Sequence, residues 1–255
     1  MRRLGLLLAA LLVLPPTHGA QSALPPAATT LAQARELFTA RRDGDAQAAF
    51  EQLLAADPAN HDAVYHLGRI AKRRGDWKSA AERYERCTQL APTIALYWAD
   101  LGQAYGKLAG KAGIFQQLGL ARKCRSALEK AVELAPGNLE YRQGLVEFYE
   151  KAPPIAGGGR EKALAQAGEI ARLDPYIGSL TTGSIQSRAK NWPAAEAAFR
   201  AAATLRPEAP EPQVRLGQTL VLKGDRAAAK SEYEKALQLD PSSKEAAAEL
   251  KKLQE

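Results

Sequence analysis

The 255-residue sequence has few of the side chains that most often carry chemistry: three histidines, two cysteines and one methionine, with aromatics at 6%. Two cysteines cannot build a disulfide framework. His18 lies in the N-terminal leader, and His61 and His66 are five apart, so they do not share a helix face as a zinc pair four apart does. No serine or cysteine sits in a nucleophile motif, and Gly157-Gly158-Gly159-Arg160 lacks the spacing of a phosphate loop. The sequence therefore calls for no catalytic residue, no metal and no cofactor. Long basic runs are missing too. Lys72-Arg73-Arg74 and Arg122-Lys123-Arg125 are short and carry no interleaved aromatics, which argues against a nucleic-acid partner. Scarce aromatics beside plentiful alanine favour closely packed helices over a sheet rich in β-branched residues.

One apolar run stands out. Met1-Arg2-Arg3 precedes Leu4 to Leu14, an unbroken stretch of 11 residues closed by Pro15-Pro16. A spanning helix needs roughly 20 apolar residues, so the pattern reads as a secretory signal peptide over 1–22, with small residues suited to cleavage between Gly19 and Ser22. The competing reading is an uncleaved anchor. Loss of the leader removes Arg2 and Arg3 and lowers the formal charge from +7 to +5. The expected location is exported, periplasmic or extracellular, with no integral membrane span once the leader is gone.

Proline is what recurs: Pro58, Pro92, Pro136, Pro175, Pro207 and Pro241, at intervals of 34, 44, 39, 32 and 34. A period near 34 is the signature of a repeat. Residues 61–94 carry Leu67, Gly68, Gly75, Ala80, Tyr84, Cys87 and Pro92 at positions 7, 8, 15, 20, 24, 27 and 32 of the copy. Residues 210–241 repeat the series with Leu216, Gly217, Gly224, Ala229, Tyr233, Ala236 and Pro241, and a third copy opens with Trp98, Leu101, Gly102 and Tyr105. The pattern resembles the tetratricopeptide repeat. Positions 4, 7, 8 and 11 share a face of one helix and positions 20, 24 and 27 a face of the next. Small residues at 8 and 20 let the backbones approach, and Gly-Asp at 75–76 and 224–225 ends one helix and caps the other. Asn191-Trp192-Pro193 takes that role in the fifth copy.

The fold expected is an all-α, right-handed α-solenoid of about six helical hairpins over 23–255, with repeats near 29–58, 61–94, 95–138, 139–177, 178–209 and 210–243 and a capping helix over 244–255. In the first copy Gly44-Asp45 comes three residues late, which predicts a shortened second helix. Cys87 and Cys124 occupy small buried positions. They read either as two core thiols or as a bridge between neighbouring copies.

Two copies carry extra residues between positions 11 and 15. The third has ten, from Tyr105 to Gly119, and the fourth has five, around "KAPPIAGGG" at 151–159. Helical spacing continues through Leu101, Tyr105, Leu108, Ala112 and Phe115, which predicts a longer first helix. Gly102, Gly106 and Gly110 would give it a smooth face. The shorter insertion reads as non-helical. Ile155, beside Pro153 and Pro154, is expected to pack on Ile114, Phe115 or Leu118 as an apolar edge platform; the plainer alternative is a local lid. The long third copy combined with "AP…GGG…KA" is similar to a subgroup of exported bacterial tetratricopeptide-repeat proteins, a likeness that implies fold and compartment but no activity.

The resemblance implies a non-catalytic interaction module whose first helices line a concave groove at positions 2, 5, 6, 9, 12 and 13, taking a protein or extended peptide as adaptor, scaffold or assembly factor. The groove residues are then Arg35, Tyr65, His66, Arg69, Lys72, Arg73, Asp100, Gln103 and Lys107, followed by Glu140, Glu147 and Glu150. The groove would be basic at its N-terminal end and more acidic further on. The lysine–asparagine clamp of some family members is replaced here by Leu31, Arg35, His66, Leu96 and Asp100, so chaperone-tail binding does not carry over.

Overall fold

The computed structural model describes residues 30–254. The leader reading falls outside them. Thirteen helices follow in order among the described residues, twelve of them as hairpins: α1 (Leu31–Thr39) with α2 (Asp43–Ala56), α3 (His61–Arg73) with α4 (Trp77–Leu90), α5 (Ala95–Ala109) with α6 (Ile114–Leu134), α7 (Leu139–Lys151) with α8 (Arg160–Leu173), α9 (Pro175–Arg188) with α10 (Trp192–Leu205), and α11 (Glu211–Lys223) with α12 (Arg226–Leu239). The last, α13 (Lys244–Gln254), packs on α12 and α11.

Short polar residues start these helices. Asn60, Asp76, Asn138, Asp174 and Asp225 each accept a backbone N–H three residues on, and Thr30 forms a reciprocal capping box with Gln33. Gly75 and Gly224 turn the second and sixth hairpins in the left-handed region (φ +75° and +94°). Arg41 and Lys190 hold that conformation in the first and fifth (φ 61° and 56°). Asn191 makes no side-chain cap, contrary to its expected role; its Nδ2 donates to Gln186 Oε1 instead.

What each hairpin buries is a size exchange between positions 8 and 24. A Cβ on Gly68 would lie 2.7 Å from Tyr84 Cε1, one on Gly183 2.6 Å from Phe199 Cε1, and one on Gly217 2.4 Å from Tyr233 Cε1. Gly102 meets Leu128 in the same way. The ring at 24 lies over the missing side chain at 8, which is why the glycine recurs. The buried apolar residues form a spine of three clusters that meet at α3 and at α9.

Two sequence readings are corrected. In the third hairpin α5 has 15 residues, only two more than α3, whereas α6 has 21 against 14 for α4. The extra residues lengthen mainly the second helix, because the chain turns at 110–113 with Gly113 as the N-cap of α6. The glycine face of α5 is filled within its own hairpin: Gly102 lies against Leu128 and the Cys124 carbonyl, and Gly106 against Cys124 Sγ. In the first hairpin it is α1 that is short, at 9 residues, while α2 has the full 14 and contains Gly44; the turn is at Arg41.

Cys87 and Cys124 are both free and buried. Burial pushes each thiol up to about 12, so neither is ionised at neutral pH. Of the two readings, core thiols is the one realised.

Candidate interaction face

First helices meet first helices. α1 touches α3, α5 touches α7, and α11 touches α9 and α13, with no comparable contact between second helices among the described residues. The first helices thus share one side of the stack, the side that the repeat resemblance reads as the groove. Side chains bridge them directly. Arg35 donates to Asp62 at 2.8 Å, and Asp100 accepts from Tyr65 Oη and Lys72 Nζ, both at 2.8 Å. Arg188 pairs with Glu150, and Thr219 Oγ1 donates to Ser187 Oγ at 3.0 Å. Gln218 donates to Glu245 at 3.0 Å.

This ladder divides the expected groove residues into two sets. Tyr65, Lys72 and Asp100 form one bridging cluster in which Lys72 and Asp100 are 33% and 14% exposed. Burial first, and then the Asp100 carboxylate, pushes the Tyr65 phenol far up, so it remains a donor. Arg73 is also engaged: it donates to Asp43 at 2.6 Å and to the Phe38 carbonyl at 3.1 Å, with its guanidinium 3.5 Å from the centre of the Phe38 ring. Arg35 is held by Asp62. His66 is buried, stacked on Phe50 at 4.8 Å and edge-on to Phe38 at 5.2 Å. These residues build the wall of the face.

The second set is exposed. Arg69 has no acidic partner among the described residues; its guanidinium lies 4.7 Å from the centre of the Phe38 ring and 5.7 Å from that of Tyr65. Lys107 is exposed 6.0 Å from the Trp77 ring, and Gln103 is exposed between them on α5. Arg69 and Gln103 stand at position 9 of consecutive copies, so the register brings them to one row. Asp62 sits at position 2, within reach of the groove rule. Asp43 is on a second helix, where no groove position points to it.

His66 gives the face a pH signature. Its Nδ1 donates to the Asp62 carbonyl at 2.8 Å, so a second proton would have to enter at Nε2. Burial holds the imidazole below its ordinary 6.5; the Asp62 carbonyl opposes this, and Arg69 and Arg35 add to it. The unfolded chain therefore takes up the proton more readily than the folded one. The His66 contribution to stability is fully present above 6.5 and is lost as pH drops below it. Urea midpoints at pH 7.5 and pH 5.5 should fall further in the parent than in His66→Phe; equal slopes would remove His66 as the cause.

The enlarged edge differs from the expected platform. Pro154–Ala156 forms a single 3-10 turn packed on α6. Ala156, Gly157 and Gly158 are the buried residues of the insertion, Ala156 at 1%, while Ile155 is 69% exposed. Arg125 reaches the Ala156 carbonyl and crowds Gly157, and Lys162 donates to the Gly157 carbonyl. Leu118 is partly buried against the central core cluster, and Pro153 caps the turn. The side chains of Ile114 and Phe115 lie outside the described residues. The edge is thus fastened by two cations on backbone carbonyls, with Ile155 turned to solvent.

Among the described residues no group of three or more His, Cys, Asp or Glu gathers as a metal site, and no helix is long and apolar enough to cross a membrane.

Tetratricopeptide repeat models match residues 31–95 and 210–243. No curated protein matches the sequence significantly. Among solved structures, the chain is similar to PilW, described as a widely conserved type IV pilus biogenesis factor, with a TM-score of 0.59 at 17% identity over 84% of this chain and 94% of that one. It is also similar to PilF of Pseudomonas aeruginosa, with a TM-score of 0.55 at 15% identity over 87% and 93%. Yeast Tom70 matches with a TM-score of 0.55 at 15% identity over 87% of this chain and 46% of Tom70. At these identities the likeness is one of fold.

Proposed function

We propose that this chain, whose residues 31–95 and 210–243 match tetratricopeptide repeat models, is a non-catalytic interaction module of the bacterial envelope, holding a protein or extended peptide on its concave face. The supporting observation is the ladder of bonds between first helices. It fixes Tyr65, Lys72, Asp100 and, through the Phe38 carbonyl of α1, Arg73 as a wall and leaves Arg69, Gln103 and Lys107 exposed above it. A surface ordered in advance loses little entropy when a segment is laid on it. The rings of Phe38 and Tyr65 hold the Arg69 guanidinium without neutralising it. Export rests on the basic start, the short apolar run and the small residues before position 23. Acting as adaptor, scaffold or assembly factor would all use the same face.

Site-specific cross-linking in cells tests this. A photoreactive residue at Gln103, on the concave side of the third hairpin, is compared with one at Ser126, exposed on its second helix. The expected result is a discrete adduct from Gln103 alone, recovered in the periplasmic fraction on a chain lacking residues 1–22. Equal adducts from both positions, or a cytosolic chain that keeps its leader, would overturn the reading.

A further inference from the structure

The polar groups left over on the concave face are sorted by sign along the stack. From the first hairpin to the third, the acids beside these cations are consumed internally: Asp43 of α2 by Arg73, Asp62 by Arg35, and Asp100 by Tyr65 and Lys72. What remains there are the cations Arg69 and Lys107, both exposed. One hairpin further on, position 9 is Glu147, which pairs with Lys151 one turn along the same helix, at 2.5 Å with the two side chains 63% and 72% exposed. Such an exposed pair is weak and readily exchanged. Glu140, at position 2 of the same helix, is exposed with no hydrogen bond or ion pair among the described residues. The face thus offers spare positive charge on α3 and α5 and spare negative charge on α7.

We infer that the preferred ligand is an extended peptide of segregated charge, with carboxylates over Arg69 and Lys107 and cations over Glu140 and Glu147. This rests on the concave-face reading above and adds a ligand class to it. Packed helices stand about 8–10 Å apart, so α3 and α7, two hairpins apart, are separated by roughly 20 Å. An extended chain rises about 3.3 Å per residue, so about six residues separate the carboxylate over Arg69 from the first cation over α7, with the carboxylate over Lys107 falling between them. A peptide with the charges placed the other way meets repulsion at both ends, and one with alternating charges meets it at every second site.

Synthetic peptides of one composition test the idea. One carries an acidic block followed by a basic block that begins about six residues after the first acid; a second alternates the same charges; a third and fourth are all-acidic and all-basic. Binding is read by fluorescence anisotropy at ~50 mM and ~150 mM salt. The segregated peptide should bind about ten-fold more tightly than the alternating one. Arg69→Glu with Lys107→Glu should abolish that advantage and weaken the all-acidic peptide while leaving the all-basic one unharmed. Glu140→Lys with Glu147→Lys should do the converse. Arg69→Lys with Lys107→Arg should retain binding, and circular dichroism checks that each variant folds. Equal affinity for segregated and alternating peptides overturns the inference, as does binding of none. In either case a cross-link confined to Gln103 would leave the concave-face reading standing, whereas loss of that cross-link is a failure of the reading itself.

Discussion

Gly178→Ala is expected to destabilise the protein by about 2–3 kcal/mol, although alanine is the better helix former. The cause is the junction between α8 and α9, the only one of the five inter-hairpin junctions made by a single residue. Asp174 ends α8 and caps α9, its Oδ1 accepting from the Ile177 N–H at 3.0 Å, and Arg206 grips its other oxygen at 2.8 Å. With no spacer, the fourth residue of α9 lands on the backbone of α8. A Cβ on Gly178 would lie 2.4 Å from Ala171 Cα and 2.6 Å from Ala171 N. A side chain could rotate away from such a clash, but a helix backbone cannot without lifting the fifth hairpin off the fourth. Gly168→Ala, in the exposed middle of α8 with nothing within 4 Å of its Cβ, is the control. It should gain up to about 1 kcal/mol from propensity alone. Urea denaturation with the m-value monitored reads both. A Gly178→Ala protein at least as stable as the parent would mean the two backbones do not approach as described.

That junction also shows how far the sequence could be read. The loss of two residues at the start of the fifth copy was visible from the interval between Pro175 and Pro207. Its consequence, a glycine against a backbone, was not, since Gly178 lies outside the repeat's glycine positions. The enlarged third copy is a similar case. Spacing between Tyr105 and Gly119 counts the extra residues but does not say on which side of the turn they fall. The apolar period runs on through Ala112 and Phe115, so it pointed to a longer first helix. The decisive signals are local: Gly110 closes α5 and Gly113 opens α6. On the first helices, repeat register gives Arg69, Gln103 and Lys107 as groove positions, and all three are exposed. It could not show that Asp43, Asp62 and Asp100 would occupy most of the neighbouring cations, because those bonds span 27 to 30 residues and depend on how one hairpin settles on the next.

The size exchange between positions 8 and 24 yields the second large effect, because one hairpin inverts it. Ala34 with Phe50 follows the small-over-large order of the glycine hairpins, but the fourth copy has Val146 at position 8 and Ala167 at position 24, both buried. The larger side chain has moved from α8 to α7, and both residues belong to the central core cluster. Ala167→Phe alone should cost about 3 kcal/mol by overpacking against Val146. Val146→Gly alone should cost about 2 kcal/mol, part helix propensity and part cavity. Together they restore the glycine-under-ring arrangement of the second, fifth and sixth hairpins, and the double variant should recover at least about 2 kcal/mol relative to the sum of the single costs. A coupling of that size makes the pair a transferable packing unit. Purely additive costs would mean that the fourth hairpin is held by its own surroundings, with the neighbouring Tyr149 and Ile170 setting the space that Val146 fills.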